Sequence, residues 1–161
     1  MKKGMQEMHS KKTQNKNYWI FFGIFILSGI LMYAAMFSDV VNVGDIYFSF
    51  TMLYMILLMA CPMAVIMLLF MGQMYDNKKL NVVIIITLVV VSILAFIFLR
   101  NQTFVDDRDY LRHMIPHHSI ALLTSMHASL QDNETRNLAE NIASTQQEQI
   151  DQMKNILNRL G

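Results

Sequence analysis

The sequence has little cysteine and little net charge, and each shortage excludes a class of protein. The single cysteine, Cys61, cannot form an intrachain disulfide. The formal net charge is only +1, so no overall positive field favours nucleic acid as a partner. No set of nucleophile, base and orienting residue is visible, and we therefore predict that the protein is not an enzyme.

Charged residues are missing from three long apolar stretches, which account for the high apolar content of 54%. Each stretch is long enough to cross a hydrocarbon core of about 30 Å. We predict transmembrane helices at about residues 18–37, 46–75 and 80–99. The second stretch exceeds one straight span, and Pro62 near its centre favours a kink.

The placement of lysines predicts the orientation of these helices. Five lysines precede the first stretch, none lies between the first and second, and Lys78 and Lys79 lie between the second and third. The positive-inside rule places the N-terminus and the second loop in the cytoplasm. We therefore expect residues 1–17 to be a disordered cytoplasmic tail and residues 101–161 to lie outside the cytoplasm.

Residues 101–161 are polar, and their pattern predicts an antiparallel pair of helices, so the fold class is all-α. The first helix has an acidic first turn and should run to about Ala128 or Leu130. Asp132 can cap a second helix at about residues 133–160. Two helices bury little apolar surface, so we predict that the hairpin dimerises into a four-helix bundle. A protruding end of the second span is the alternative packing partner.

The first of these two helices carries a candidate metal site. His113 and His117 are one helical turn apart, and so are Met114 and His118. Imidazole and thioether ligands together favour copper over zinc or magnesium. Asp107 can add an oxygen ligand or orient a histidine.

The second helix offers a facing set of side chains. Gln146, Gln149 and Met153 share one face at helical spacing, and Met153 is the soft ligand among them. The alternative interpretation is that the histidines are packing residues that only form hydrogen bonds. The protein is then a structural or interaction module of the membrane with no bound metal.

The polar C-terminal region, which contains both predicted helices, resembles the bacterial family labelled domain of unknown function 305. The residues that carry the resemblance are Asp107, Tyr110, Met114, His117, His118, Leu138, Ala139, Ile142, Gln146, Ile150 and Met153. That family resembles ferritin-like helical bundles and includes periplasmic copper-binding proteins. The resemblance covers about residues 104–157, and the preceding apolar stretches look like those of a membrane-anchored branch.

The resemblance implies a copper-binding protein of the bacterial inner membrane, with its hairpin on the periplasmic side. Such a protein would sequester copper or hand it to a partner that the sequence does not identify. We expect the ion to be held by six residues: His113, Met114, His117, His118, Met153 and Asp107. Tyr110, Gln146 and Gln149 would support them. Family members often have methionine where this chain has Leu111 and Thr124, and glutamate at Gln149, so this chain has fewer ligands.

A column of methionines follows the second apolar stretch at nearly helical spacing, with Cys61 on the same helix. Its members are Met52, Met55, Met59, Met63, Met67, Met71 and Met74. Sulfur ligands select Cu(I), so a copper path through the membrane is one interpretation. We favour a packing seam between helices or protomers, because methionine fills irregular gaps and an ion path needs stronger partners.

Overall fold

The computed structural model describes residues 2–71, 74–75 and 77–161, with side chains from residue 16 onward. In these residues the secondary structure is helical, and no β-strand is found, which confirms the all-α class. The α-helices are α1, Lys2–Ala35; α2, Phe50–Phe70; α3, Lys78–Asn101; α4, Asp107–His127; and α5, Asn133–Leu160. A short 3-10 turn, Val43–Asp45, lies between α1 and α2.

The chain divides into two compact units. The first, which we call the apolar unit, consists of Met1–Tyr33 and Tyr54–Asn101. The second, which we call the hairpin unit, consists of Ala34–Leu53 and Gln102–Gly161. The hairpin unit therefore includes the whole connection between α1 and α2 as well as α4 and α5.

Three helical segments are long and apolar enough to cross a membrane: Lys16–Ala35, Phe50–Phe70 and Lys78–Asn101. At a rise of 1.5 Å per residue each spans about 30 Å or more, the thickness of a hydrocarbon core. The sequence prediction of three spans is confirmed in number and order. The second span is shorter than predicted, because residues 46–49 are not helical and α2 ends at Phe70.

Helix α1 begins at Lys2, so its backbone continues through the segment predicted to be a disordered tail. The difference has a simple physical reason. Lysine, glutamine and methionine have high helix propensities, and extending an existing helix avoids the cost of nucleating a new one.

The apolar unit has a small buried cluster, Phe21, Ala64, Leu68 and Tyr75, which joins α1 and α2 to Tyr75, three positions before the start of α3. A polar tie strengthens it, because the Tyr18 hydroxyl donates to Asn81 Oδ1 at 2.6 Å. Most other side chains of this unit are exposed, and only 6% of the apolar windows of α1 and α3 is buried. Apolar surface of this extent indicates a membrane protein, because soluble monomers rarely expose large apolar patches.

Helices α4 and α5 form the predicted hairpin, and each begins with an aspartate cap. Asp106 accepts from the Asp109 amide at 2.8 Å, and Asp132 accepts from the Thr135 amide at 2.7 Å. The prediction of α5, including its cap at Asp132, is confirmed. The acidic first turn predicted for α4 consists of Asp107 and Asp109. The core of the hairpin is Leu111, Ile115, Leu122, Ile150 and Leu157.

The connection between α1 and α2 packs on this hairpin. Val41 and Tyr47 contact the apolar core. The Ser119 hydroxyl of α4 donates to Asp45 Oδ2 at 2.7 Å, and it accepts from the Val41 amide at 2.9 Å. Lys154 of α5 forms an ion pair with the other oxygen of Asp45, whose side chain is fully buried.

Within one chain, the hairpin therefore packs on a loop of the same molecule, a partner that the sequence analysis did not identify. The first turn of α2 also contributes, as the alternative prediction proposed, because the Phe50 amide donates to both carboxylate oxygens of Asp109, at 2.9 and 3.1 Å. Dimerisation stays a prediction.

We predict that Asp45→Ala destabilises the hairpin unit by about 2–4 kcal/mol, because it removes one partner of a buried ion pair and leaves the Ser119 hydroxyl without its acceptor. Thermal unfolding in detergent, followed by circular dichroism, measures the change. Asp39→Ala is the matched control, since Asp39 is an exposed aspartate of the same loop. Equal melting temperatures for the two variants would contradict the role given to Asp45.

Candidate metal site

His118 lies in the seam between α4 and α5. The side chains of Gln149 and Gln146 of α5 lie close enough to raise its pKa as hydrogen-bonding neighbours. Burial lowers the pKa of His118, the nearby His117 lowers it further, and the two glutamine contacts oppose the shift. The ring nitrogen Nδ1 is buried and has no hydrogen-bond partner. The predicted facing set of glutamines is therefore brought to this histidine.

His113 lies five residues earlier on α4, about one and a half turns, and its environment is similar. Burial is the main cause of its lowered pKa, and His117 adds to the shift while the carboxylate of Asp109 opposes it. Its Nδ1 atom is also buried without a hydrogen-bond partner. Both histidines are therefore biased toward the neutral form, which is the form that binds metal ions.

His117 links these two residues on the surface of the helix. It is exposed, and its ring centroid lies 6.3 Å from that of His113 and 6.2 Å from that of His118. Two imidazoles that share one ion have centroids about 5–6.5 Å apart, since each metal–nitrogen bond is about 2 Å. Each separation involves His117, so it bears on an ion shared with His117 and not on one shared by His113 and His118 alone.

No set of three histidine, cysteine, aspartate or glutamate side chains that could hold a metal occurs in the part of the chain that the structure describes. A two-histidine site on α4 would need methionine as its further ligand. Met114 is half-buried, and Met153 is half-buried against the hairpin core. The structure thus places a thioether on each helix of the hairpin.

The carboxylate that acts on the pKa of His113 is that of Asp109. Asp107 is exposed in the first turn of α4, and Tyr110 is 51% exposed. The spacing of four residues between Asp109 and His113 was the signal that could have identified this pair. Lys154 and Asp45 carried no comparable signal, because they are distant in sequence.

The methionine column of α2 passes through several environments. Met52 is buried, whereas Met59 and Met63 are 45% and 50% exposed. The buried face of α2 beside them consists of small residues with one leucine: Ala60, Cys61, Ala64 and Leu68. Small residues allow close approach of helices in a membrane. Met67 of the column packs against the buried cluster of the apolar unit, so the column adjoins the buried face of α2. Its role as a packing seam stays a prediction.

We predict that the metal-free protein becomes more stable as the pH rises from about 5.5 to about 7.5, because His113 and His118 stay neutral when folded but bind protons near pH 6.5 when unfolded. Unfolding then takes up protons, so raising the pH opposes it. Melting temperatures measured with a chelator present test this. The variant with His113→Gln and His118→Gln should show a smaller pH dependence, and an unchanged slope would contradict the assignment.

Comparison with known proteins identifies a family and a relative of this chain. The family model "Domain of unknown function (DUF305)" matches residues 107–161, which comprise α4, α5 and their connection. An uncharacterized protein of Acanthamoeba polyphaga mimivirus is 34% identical over 119 residues, which cover 73% of this chain and 76% of that protein. No solved structure matches the chain. Because the aligned region is longer than the hairpin, the likeness extends into the apolar helices, and the chain belongs to the DUF305 family.

Proposed function

We propose that the protein is a membrane-anchored metal-binding protein whose hairpin unit binds copper. The observation that carries the proposal is the pair of buried imidazole nitrogens, Nδ1 of His113 and Nδ1 of His118, that have no hydrogen-bond partner. Buried polar atoms are nearly always satisfied, so an unsatisfied pair requires a reason. A bound metal ion would satisfy such atoms, and the lowered pKa values keep the rings in the form that binds it.

The choice of copper follows from the remaining ligands. Met114 and Met153 supply thioether sulfur, which Cu(I) accepts and which zinc and magnesium do not prefer. A buried imidazole nitrogen together with a thioether would form a ligand set of mixed nitrogen and sulfur character. The exposed His117 provides a route by which an ion enters or leaves. Asp109 would orient His113 through its carboxylate.

The three apolar helices would anchor this site to a membrane. The five lysines of residues 2–16, together with Lys78 and Lys79, support a hairpin unit that lies outside the cytoplasm by the positive-inside rule. The family resemblance supports a bacterial inner membrane, with the hairpin unit in the periplasm. We propose sequestration or handover of the ion as its role, and not catalysis.

A second candidate function is supported by the contacts of the same residues. Asp45, Ser119 and Lys154 form a buried polar cluster, and two glutamines lie beside His118. In this alternative the histidines only rigidify the hairpin, and the protein is a structural or interaction module. The two functions differ in one measurable property, the uptake of Cu(I).

We predict that the full-length protein in nanodiscs binds Cu(I), and that the variant with His113→Gln and His118→Gln binds it about 10–100-fold more weakly, because it loses both buried nitrogens. Titration against a chromophoric Cu(I) chelator measures the affinity. Zinc should bind more weakly than Cu(I) to the unmodified protein. A separate Met114→Leu variant should also lose affinity if sulfur completes the site.

Two controls make the titration specific. The variant with Met59→Leu and Met63→Leu should bind Cu(I) as the unmodified protein does, since these residues lie in the membrane column. His127→Gln should do the same, because His127 is exposed at the end of α4. Absence of uptake by the unmodified protein, or unchanged uptake by the double histidine variant, would favour the interaction module.

A further inference from the structure

From Asp45 to Phe50, buried and exposed side chains alternate. In a segment that faces water the exposed side chains are polar, whereas in this segment they are apolar. Its buried side chains are mostly polar: Asp45 and Ser49 at 0%, with Tyr47 between them packed on the hairpin core. The side chains in between are apolar and exposed: Ile46, Phe48 and Phe50 at 40%, 55% and 41%. Successive side chains of an extended chain point to opposite sides. This segment therefore directs polar groups inward and apolar groups outward.

The contacts of the buried side chains determine which residues of this segment point inward and which point outward. Asp45 is bound by Ser119 and Lys154, and the Ser49 hydroxyl accepts from the Met52 amide at 3.3 Å. A shift of one residue would turn the phenylalanines inward and expose the buried carboxylate. The outward position of Phe48 and Phe50 is therefore fixed by polar contacts on the other side.

A second exposed aromatic lies in the connection between α3 and α4. Phe104 is 72% exposed, and its backbone is left-handed with φ 62°, as is that of Gln102 with φ 48°. The side chain of Gln102 bonds to Thr51 at 3.2 Å, so this connection adjoins the start of α2. A left-handed phenylalanine is uncommon because its Cβ crowds the backbone, and such strain persists only where the surroundings impose it.

We propose that Ile46, Phe48, Phe50 and Phe104, the phenylalanine surface, lie in the interfacial layer of a lipid bilayer. The proposal rests on the proposed membrane anchoring. The 21 residues of α2 span about 31 Å, close to a hydrocarbon core of about 30 Å, so Phe50 as its first residue falls at the edge of that core. Phe104 follows the last residue of α3 by three positions.

Contact with lipid explains why the apolar side chains of the phenylalanine surface point outward, whereas contact with water would be unfavourable for them. Side chains near the ends of membrane spans lie in the interfacial layer, where aromatic residues are enriched. The acyl boundary accepts apolar side chains without requiring a complementary shape. The loop between α1 and α2 thereby binds on both faces, to the hairpin through Asp45 and to lipid through Phe48.

The test uses the full chain with one tryptophan as a depth reporter. Trp19 is the single native tryptophan, so the background variant is Trp19→Phe. Phe48→Trp reports on the phenylalanine surface. Leu138→Trp on α5 is the matched control, because Leu138 is 58% exposed, nearly the same as Phe48, and belongs to the same hairpin unit. Both variants are reconstituted in phosphatidylcholine vesicles, with and without bromine near the carboxyl end of the acyl chain.

The expected result is a roughly twofold loss of Phe48→Trp emission in brominated vesicles, a blue-shifted maximum and little quenching by aqueous iodide, as for a side chain at the acyl boundary. Leu138→Trp should show the reverse pattern. If Phe48→Trp does not fold by circular dichroism, Phe104→Trp takes its place with the same expectation.

Three other outcomes would overturn the inference, and they are distinguishable. Quenching of Phe48→Trp by iodide, in protein that resists carbonate extraction, would remove the lipid contact but leave the anchoring intact. Protection from both quenchers would show that protein, such as a second copy, covers the surface. Extraction of the protein by carbonate would show that the proposed anchoring itself is wrong.

Discussion

The buried carboxylate of Asp45 is the contact on which the hairpin unit depends. Its side chain has no exposed surface, and its two oxygens are bound by Ser119 of α4 and Lys154 of α5. A buried carboxylate without partners would cost several kcal/mol, so this loop and both helices must be arranged together. The contact thereby joins three segments that are far apart in sequence.

The same contact fixes the candidate metal site. Ser119 adjoins His118 in the sequence, and Lys154 adjoins Met153. Binding Asp45 therefore sets the rotation of the two helical turns that carry His118 and Met153, the candidate nitrogen and sulfur ligands. A site whose donors come from two helices needs such a constraint, since metal ligands must be positioned within a few tenths of an ångström. On its other face, the loop positions Phe48 outward.

The helices were predictable because local signals determine them. Uncharged stretches gave the three spans, and Asp132 at a break in periodicity gave the start of α5. The packing of the α1–α2 loop was not predictable, because Asp45 and Lys154 carry no signal that pairs them across the chain. The site was predicted in part. The facing of His118 by Gln146 and Gln149 followed from helical periodicity, whereas the role of Asp109 depended on its burial beside His113 and Phe50.

A double-mutant cycle on Asp45 and Lys154 tests this account most directly. Melting of the unmodified protein, Asp45→Ala, Lys154→Ala and the double variant gives the coupling free energy between the two side chains. We predict a favourable coupling of about 1–3 kcal/mol, as for residues in one buried network. Additive effects of the two substitutions would show that the side chains do not interact and would contradict the docking of the loop on the hairpin.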